Sequence, residues 1–257
     1  MIFLLAESKT MSSVQTDISP ECFDSHKPSL ENSADSIMEY VRRFSAPQLA
    51  SVMGVSHNLA VNALKFAYDF PNKTSGYQAI EAFTGEAFRA FDVNSLTEDQ
   101  RNFLKPNLRI ISSAYGILRP DDIVKPYRLE YNKPVAGENM TPVKFFKSKV
   151  TIELVNYLKA SGIKEIVNLL PGDADACLDW KLIKAFAKVY KICFLSFDKH
   201  GNLKTPHSGK IKELRGSMAR FISIHNITDF NSLKSTESDK FIYSAADSKP
   251  GLPVFIG

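Results

Sequence analysis

Residues 114–130, AYGILRPDDIVKPYRLE, concentrate charged and aromatic side chains that could bind an anion or exchange protons. The guanidinium group of arginine holds phosphate or carboxylate oxygens through two parallel hydrogen bonds, and neighbouring carboxylates can order such arginines. Pro120 and Pro126 each fix a backbone angle and remove an N–H donor, so the segment cannot form one continuous helix. We therefore expect a rigid track with several turns.

Two arrangements of this track agree with its composition. In the first, the charged groups form a structural ion-pair network that needs no ligand. In the second, the arginines line a pocket, and the tyrosines supply rings or hydroxyl groups to a bound molecule. The network would consist of Arg119, Asp122, Arg128 and Glu130, and the pocket would add Tyr115 and Tyr127. Composition alone leaves both arrangements open.

A second set of cationic residues falls on a predicted helix over residues 208–226. At about 100° per residue, Lys212, Arg215 and Arg220 lie on one side of this helix, away from its apolar stripe. Gly216 costs roughly 1 kcal/mol relative to alanine inside a helix, so we expect a backbone or a ligand to approach closely there. An ordinary solvated helix face is the alternative.

Residues 45–70, SAPQLASVMGVSHNLAVNALKFAYDF, predict two helices joined by a tight turn. Ser45 and Gln48 have the spacing of a capping box, and Gly54 suits the left-handed residue that ends a helix. Ser56 can cap the second helix, whose first N–H groups would then point at a phosphate. A typical helix–hairpin–helix has a second glycine where Ser56 stands, so an ordinary helical corner is the alternative.

The formal net charge of +4 hides an uneven distribution along the chain. Residues 1–100 carry 7 Lys/Arg against 13 Asp/Glu, whereas residues 101–220 carry 22 against 11. A basic block of this kind favours an anionic partner such as phosphate, a nucleotide or nucleic acid. A solvated lysine-rich surface is the other interpretation.

Several common kinds of site are missing from the sequence. It contains no Walker A loop, no G-x-G-x-x-G, no H-E-x-x-H and no G-x-S-x-G, and its histidines and cysteines lack zinc-site spacing. We therefore expect no metal and no cofactor. Cys177 and Cys193 lie in apolar stretches and are expected to be core thiols. Three widely spaced cysteines and no apolar run of about eighteen residues predict a cytoplasmic protein without membrane contact.

The order of the predicted elements favours an α+β fold, a mixed sheet with surrounding helices, in a single domain over residues 1–257. A helical subregion over residues 30–70 contains the helix–hairpin–helix-like element. Ser29 is expected to cap the helix that follows it, and residues 10–29 are expected to form a long loop. MIFLLA at the N-terminus is expected to be a first strand, and a helix is expected near 176–187.

Residues 108–130, LRIISSAYGILRPDDIVKPYRLE, closely resemble the signature of the YaaA peroxide-stress family, which reads approximately L-S-G-L-Y-G-x-L-R-P-x-D-x-x-x-P-Y-R-L-E-M-G. Residues 7–10, ESKT, resemble that family's S-P-A-K-T, and residues 82–92, AFTGEAFRAFD, resemble its F-x-G-x-x-Y. Residues 209–222, GKIKELRGSMARFI, resemble its K-x-A-R-G-x-M-x-R-F-I. The matches occur in the family's order and cover nearly the whole chain.

The resemblance implies a cytoplasmic protein of a distinctive α+β fold that limits oxidative damage and lowers free intracellular iron. It also implies binding to double-stranded or branched DNA, without strong sequence specificity, through the helix–hairpin–helix and a basic cleft. The predicted DNA contacts are Ser56, His57, Asn58, Lys65, Lys210, Lys212, Arg215 and Arg220. We expect this DNA-binding protein to be a monomer and to catalyse no reaction.

An enzyme acting on a small anionic substrate is the alternative function. DNA docking without sequence specificity needs scattered positive charge, whereas this chain mixes carboxylates with arginines. The candidate catalytic residues are Lys9, Arg119, Arg128, Glu130 and Arg215. The predicted pocket comprises Lys9, Thr10, Gly85, Tyr115, Arg119, Asp122, Tyr127, Arg128, Glu130 and Asn168. Direct iron binding by the carboxylates is a weaker hypothesis, because arginines surround them.

Three departures from the family pattern bear on function. The family's F-W pair is Phe145-Phe146 in this chain, so an indole donor is lost. Its N-L-A-S-x-E-Y segment is NLLPGDADA here, which keeps Asn168 but lacks the Ser, Glu and Tyr. The C-terminal SKPGLPVFIG also diverges. If the missing Glu and Tyr perform chemistry, this chain has lost it; if they only line a cleft, binding survives.

Overall fold

The computed structural model describes residues 1–12, 16–17, 19–72 and 74–257. Strands and helices are mixed along the chain without regular alternation, which confirms the α+β class. The strands are β1 Ile2–Ala6, β2 Thr16–Asp17, β3 Ser75–Gln78, β4 Leu108–Ser112, β5 Gly116–Leu118, β6 Ile123–Val124, β7 Glu165–Asn168, β8 Lys188–Lys191, β9 Cys193–Phe197, β10 Leu203–Lys204, β11 Ile242–Lys249 and β12 Leu252–Ile256. The helices are α1 Pro20–Ser25, α2 Glu31–Val41, α3 Ala46–Met53, α4 His57–Asp69, α5 Ala79–Ala82, α6 Glu86–Phe91, α7 Glu98–Asn107, α8 Pro142–Ser161, α9 Gly172–Asp175, α10 Trp180–Ile183, α11 Ser208–Ile224 and α12 Phe230–Ser235.

The largest sheet has the strand order β5-β4-β1-β7-β8. β1 pairs in parallel with β4 and β7, and β7 pairs in parallel with β8, whereas β5 is antiparallel to β4. β1 reads IFLLA, a continuous apolar run typical of a parallel strand that is buried on both faces. Its place at the centre of the sheet confirms that MIFLLA forms the first strand.

The order of the strands changes direction at β1. β4 follows β1 along the chain and lies on one side of it, whereas β7 comes later and lies on the other side. In open sheets with parallel strands, a crevice forms beyond the carboxyl ends of the strands at such a point, and ligands bind there. The residues that follow β1, β4 and β7 are therefore positioned for function.

Two smaller sheets complete the fold. One has the order β10-β9-β12-β11, and the other has the order β2-β3-β6. β12 is parallel to β9 and antiparallel to β11, so the chain end is held inside its sheet. No helix in the described part of the chain is both long enough and apolar enough to cross a bilayer.

α3 and α4 form the two helices that were predicted over residues 45–70. The side chain of Ser45 accepts from the backbone N–H of Gln48, and Gln48 accepts in return from the N–H of Ser45, which is the expected capping box. Gly54 has a φ of 67°, a left-handed conformation that ends α3. The side chain of Ser56 then caps α4. A role of this helix pair as a DNA-contacting element stays a prediction.

α6 and α11 pack with their backbones in close approach. A Cβ atom at Gly216 of α11 would lie 1.9 Å from the carbonyl oxygen of Ala87 in α6, so only glycine fits there. The close neighbour expected at Gly216 is therefore a backbone carbonyl of the protein itself. This packing holds α6 and α11 together beside the central sheet.

The start of α2 differs from the prediction that Ser29 caps it. Leu30 occupies the cap position, and no side chain accepts a hydrogen bond there. The backbone N–H of Glu31 instead donates to the carbonyl oxygen of Pro28, so Ser29 lies inside a turn that precedes the helix. The cap prediction is wrong because this turn delays the helix by one residue.

The loop predicted over residues 10–29 contains regular structure. It includes β2 and the short helix α1, whose first turn is capped by Ser19 through the N–H of Cys22. Proline directly after a serine favours such a helix start. Residues 13–15 and 18 of the predicted loop lie outside the described residues.

The helix predicted near 176–187 is present as α10, but it is much shorter than the predicted span. The structure has the two short helices α9 and α10 in this region, with only α10 inside the predicted span. Asp179 accepts hydrogen bonds from the N–H groups of Lys181 and Leu182, so it caps a new helix in the middle of the predicted one.

Candidate functional site

Charged and hydroxyl side chains converge beyond the carboxyl ends of β1, β4 and β7. We call this region the crevice, and it is defined by Glu7, Lys9, Ser113, Tyr127, Arg128 and Glu130, with Asp173 close enough to act, like Glu7, on the pKa of Tyr131. Glu7 follows β1 directly, and its backbone N–H continues the sheet by donating to the carbonyl oxygen of Ile111. Ser113 follows β4, and Asp173 lies in α9, which follows β7.

Glu7 accepts hydrogen bonds from two sides. The backbone N–H of Ser113 donates at 3.0 Å and the hydroxyl of Ser113 at 2.5 Å. The phenol of Tyr127 donates to the same carboxyl group. The hydroxyl oxygen of Ser112 lies 2.7 Å from the hydroxyl oxygen of Tyr127, and it accepts hydrogen bonds from the backbone N–H groups of Ala114 and Tyr115. The hydroxyls of Ser112 and Tyr127 therefore form a relay that ends on Glu7.

Burial controls the charge of Glu7. Desolvation raises the pKa of Glu7 from an ordinary 4.5 to about 7, although the hydrogen bonds from Ser113, Tyr127 and Ser112 oppose this shift. Burial likewise holds the pKa of Tyr127 well above 10, and the neighbouring Glu7 carboxylate adds to that shift. At neutral pH, Tyr127 is a neutral donor and Glu7 is present both with and without its proton.

Lys9, Arg128 and Glu130 form a second group in the crevice. Lys9 and Glu130 make a hydrogen-bonded ion pair, and Arg128 lies 3.8 Å from Glu130. The guanidinium of Arg128 also donates to the backbone carbonyl of Lys9 at 3.1 Å. The Nε atom of Arg128 is buried, and no described residue accepts a hydrogen bond from it. Arg128 therefore keeps one donor that the described chain leaves unused.

Arg215 lies on α11, close enough to Asp173 and Asp175 for their charges to act on its guanidinium. Its side chain is half-buried, and burial lowers the pKa of its guanidinium while the charges of Asp173 and Asp175 raise it. Within the described ranges, no residue makes a hydrogen bond or an ion pair with this guanidinium. None of its nitrogen atoms is both buried and unpaired, so solvent can hydrate this guanidinium.

Lys9 is positioned by the loop that follows β1. The hydroxyl of Ser8 lies 3.0 Å from that of Thr10, and the carbonyl oxygen of Thr10 accepts from the backbone N–H of Thr84. A Cβ atom at Gly85 would lie 2.2 Å from the Ser8 hydroxyl, so the loop can approach α6 only because residue 85 is glycine. Thr10 and Gly85 thus shape the crevice without providing charge.

Asn168 supports the loop after β7. Its amide nitrogen donates to Asp175 at 2.7 Å, and its oxygen accepts from the backbone N–H of Leu170 at 2.9 Å. Lys191 lies 3.0 Å from the other carboxylate oxygen of Asp175. Asn168 is buried and has its hydrogen-bonding groups occupied, so it fixes α9, the short helix that carries Asp173.

The structure places Arg119 and Asp122 away from the crevice. Arg119 donates to Asp122 from its backbone N–H and from Nε, both at 2.7 Å. The four-residue network considered for this segment therefore divides, because Arg128 and Glu130 interact with Lys9 instead. Burial raises the pKa of Asp122 from 3.8 to about 6, against the hydrogen bonds from Arg119. The pair lines a separate cavity of about 190 Å³ together with Lys27, Ser29, Arg109, Ile117, Leu118, Glu153 and Tyr157.

Tyr115 lies in the protein core. It has no exposed surface, its hydroxyl accepts from the backbone N–H of Lys125 at 2.9 Å, and its ring packs against Phe70 and Tyr127. The ten-residue pocket expected from the sequence therefore divides. Lys9, Tyr127, Arg128 and Glu130 lie together in the crevice, whereas Arg119 and Asp122 lie elsewhere and Tyr115 supports both regions from the interior.

The predicted DNA contacts fall on α4 and α11. Ser56, His57, Asn58 and Lys65 are all exposed, as is Lys212. Two other members of the set are engaged by the protein. Lys210 pairs with Glu213 at 3.2 Å. Arg220 donates to the carbonyl oxygens of Phe91 and Asp92 and to the hydroxyl of Ser95, so its guanidinium holds the end of α6.

Four residues were not predicted from the sequence. Glu7, Ser113 and Asp173 belong to the region of the crevice, and Lys133 lies at the α3–α4 turn. A Cβ atom at Gly54 would lie 3.4 Å from Nζ of Lys133, which places this lysine at the α3–α4 turn. Glu7 had a usable signal, because it is the first charged residue after a buried apolar strand, where parallel sheets present ligand-binding groups. Lys133 had none, because its position depends on contacts distant in sequence.

Comparisons with known protein sequences match this chain over nearly all of its length. The family model described as "Peroxide stress protein YaaA" matches residues 1–247. A UPF0246 protein of Shewanella denitrificans is 33% identical over 264 residues, which cover 100% of this chain and 98% of that protein. A UPF0246 protein of Aliivibrio fischeri strain MJ11 is 30% identical over 261 residues, covering 99% and 97%, respectively. A UPF0246 protein of Shewanella woodyi is 31% identical over 234 residues, covering 89% of each.

Proposed function

The chain belongs to the YaaA peroxide stress protein family, and from this membership and the site geometry we propose that it limits oxidative damage by binding double-stranded or branched DNA through the phosphate backbone. The general role in peroxide stress comes from the family. DNA binding, a cytoplasmic location and action as a monomer belong to the proposal, and the arguments for DNA binding come from two neighbouring parts of the protein.

The first part is the beginning of α4. Ser56 caps this 13-residue helix by accepting from the N–H of Leu59 at 3.4 Å. The N–H groups of His57 and Asn58 belong to the first turn and have no intrahelical acceptor, and both residues are exposed. A helix start of this kind attracts a phosphate through its N–H groups and its dipole.

The second part is Lys133, and its position is the single observation that carries the proposal. Nζ of Lys133 lies at Gly54, in the turn between α3 and α4. Residues 130–133 form a tight turn, because the backbone N–H of Lys133 donates to the carbonyl oxygen of Glu130. The segment that supplies Arg128 and Glu130 to the crevice thus also supplies a cation to the α3–α4 turn. A DNA strand at this turn would meet a helix start and a lysine together.

These contacts would read the phosphate backbone and not the bases. Ser, Asn, Lys and backbone N–H groups positioned by a helix start bind phosphates in any sequence. Binding should weaken steeply with salt, with a slope set by the number of phosphates contacted. We further propose that any lowering of free iron is indirect, because the carboxylates Asp122 and Glu130 are paired with Arg119 and with Lys9 and Arg128.

Binding of a fluorescent duplex and of a four-way junction, each over a salt series, tests the proposal. Lys133→Gln should weaken binding of both and should reduce the log–log salt slope by about 1, because one phosphate contact is lost. Asn58→Asp places a negative charge at the phosphate position on α4 and should weaken binding further. Lys199→Gln changes an exposed lysine in the turn between β9 and β10, and it is the matched charge control.

The outcome that contradicts the proposal is specific. If wild-type protein fails to bind either DNA at low salt, although a cooperative thermal unfolding transition shows that it is folded, it does not act through DNA. If it binds, but Lys133→Gln and Asn58→Asp behave like Lys199→Gln, the α3–α4 turn is not the contact surface. Equal weakening by all three variants would indicate binding through net charge alone.

A further inference from the structure

The cavity lined by Arg119 and Asp122 shares no residue with the crevice. We call it the Arg109 cavity. It has a volume of about 190 Å³, and its walls come from β4, β5, α8 and the segment before α2. A water molecule occupies about 30 Å³ of the liquid, so the cavity has room for roughly six waters or for one small organic molecule.

Five charged side chains line the Arg109 cavity, and three of them are paired within the protein. Lys27 forms an ion pair with a glutamate of α2 at 3.0 Å. The two carboxylate oxygens of Asp122 accept from the backbone N–H and from Nε of Arg119. Among the residues that the structure describes, Arg109 and Glu153 form no ion pair, either with each other or with another side chain. One cation and one carboxylate on the cavity wall are therefore left over.

Neutral groups fix the position of Arg109, whose residue surface is only 6% exposed. Its Nη1 donates to the backbone carbonyls of Lys105 at 2.9 Å and of Leu108 at 2.6 Å. Its guanidinium carbon lies 3.9 Å from the centre of the Tyr157 ring, a cation–π contact. The Tyr157 hydroxyl donates to the carbonyl of Pro106 at 2.5 Å, which holds the ring in place. None of these contacts supplies a full negative charge.

The charge of Arg109 is thus buried without a carboxylate of its own. Burial lowers the pKa of its guanidinium, and the charge of Asp122 opposes this although Arg119 already holds that carboxylate. Arginine is seldom buried to this depth unless it is paired. Arg109 has no nitrogen that is both buried and unpaired, and it lines the cavity, so its remaining donors open onto the cavity. An oxyanion there would meet donors that are already held in position.

Glu153 provides the opposite charge. It lies one turn before Tyr157 on α8, and residues at this spacing share a side of the helix, so its carboxylate is next to the ring on which Arg109 stacks. Ile117 and Leu118 of β5 add an apolar wall to the same cavity. The Arg109 cavity therefore combines a fixed cation, a carboxylate and a small apolar surface.

We propose that the Arg109 cavity binds a small amino acid in its zwitterionic form. The carboxylate of the ligand accepts from Arg109, its ammonium group donates to Glu153, and its short side chain lies against Ile117 and Leu118. A ligand with only one of the two charges leaves the other protein group unpaired. A phosphate dianion is disfavoured, because Asp122 and Glu153 both line the cavity. This activity is separate from the proposed DNA surface.

L-Alanine and two matched analogues test the proposal. Propionate is alanine without its ammonium group, and ethylamine is alanine without its carboxylate. Each is titrated into the full-length protein at pH 7.5, above the pKa of about 6 of Asp122, while the Nε–H of Arg109 and the backbone N–H groups of Ile117 and Leu118 are followed by NMR. We expect saturable shifts with alanine, and binding of propionate and of ethylamine that is weaker by about tenfold or more.

Glu153→Gln separates the two charges of the ligand. It should weaken alanine by about tenfold or more and leave propionate unweakened, because only the ammonium group loses its partner. Glu153 makes no ion pair within the described chain, so the variant should fold, and thermal unfolding checks this. Arg109→Lys should weaken both alanine and propionate, because lysine lacks the two-pronged geometry. Glu138→Gln, at an exposed loop carboxylate, should bind like wild type.

Three results would overturn the inference. The first is the lack of saturable shifts with alanine in folded wild-type protein. The second is propionate or ethylamine binding as tightly as alanine, which would remove the need for a zwitterion. The third is unchanged alanine affinity in Glu153→Gln. The assay contains no DNA and uses no residue of the α3–α4 turn, so its outcome is independent of DNA binding.

Discussion

Glu7→Gln should stabilise the protein above neutral pH. In the folded state the pKa of Glu7 is about 7, against 4.5 when unfolded, so between these pH values the folded state holds more protons than the unfolded state. Stability must then fall as pH rises through this window. The shift corresponds to at most about 3 kcal/mol at pH 8, and to less because the residue keeps some solvent access.

Glutamine can replace the protonated carboxyl group with little rearrangement. Its oxygen can accept from Tyr127 and from the N–H of Ser113, and its amide group can donate to the Ser113 hydroxyl, which rotates to accept. We therefore expect Glu7→Gln to match wild type near pH 4.5 and to exceed it by roughly 1–3 kcal/mol at pH 8.

Urea unfolding at half-unit intervals from pH 4.5 to pH 8 measures the difference. Asp122 also contributes a downward slope, between pH 3.8 and about 6, and this slope should remain in Glu7→Gln. Glu138→Gln, at an exposed loop carboxylate, is the control and should follow wild type. If Glu7→Gln has the wild-type slope between pH 6 and pH 8, or is less stable at pH 8, the assignment of a buried proton to Glu7 is wrong.

Two further predictions concern the packing of α6 against α11. Arg220→Gln should destabilise the protein by about 1–3 kcal/mol, because two carbonyl oxygens and the Ser95 hydroxyl lose their charged donor, and urea unfolding at pH 7 measures this. Unchanged stability would contradict the role of Arg220 in holding α6. Gly216→Ala should lower the free energy of unfolding by about 1–3 kcal/mol or more, because its Cβ would lie 1.9 Å from the Ala87 carbonyl oxygen and the two helices must separate. Thermal unfolding measures this loss, and Ala219→Gly on the same helix is a comparison that adds no atoms.

The α3–α4 pair shows how much local sequence determines. A capping box, a left-handed glycine and a serine cap lie within twelve residues, and the structure has all three as predicted. β1 is a similar case, because a strand with apolar side chains on both faces can remove them from water only in the interior of the protein. The interactions involved join residues a few positions apart or depend on hydrophobicity alone, so they can be read without knowledge of the fold.

Gly216 marks the limit of that reasoning. The sequence indicates that something approaches this glycine closely, and only the packing of α6 identifies it as the Ala87 carbonyl. Arg220 was expected to face an external anion because it lies on the side of α11 away from the apolar stripe. The end of α6 provides internal acceptors at that position, and nothing in the sequence of α11 reveals them.

The crevice depends on the tertiary structure for a different reason. Glu7 meets Tyr127 across 120 positions of sequence, and Lys9 meets Glu130 across 121. The order of the strands decides which residues come together, and it separates Arg119 from Arg128 although they are close in the same motif. Sequence alone determined the residue types and the caps of α3 and α4. The proximity of distant groups and their removal from water, which together set the charge of Glu7, were decided by the fold.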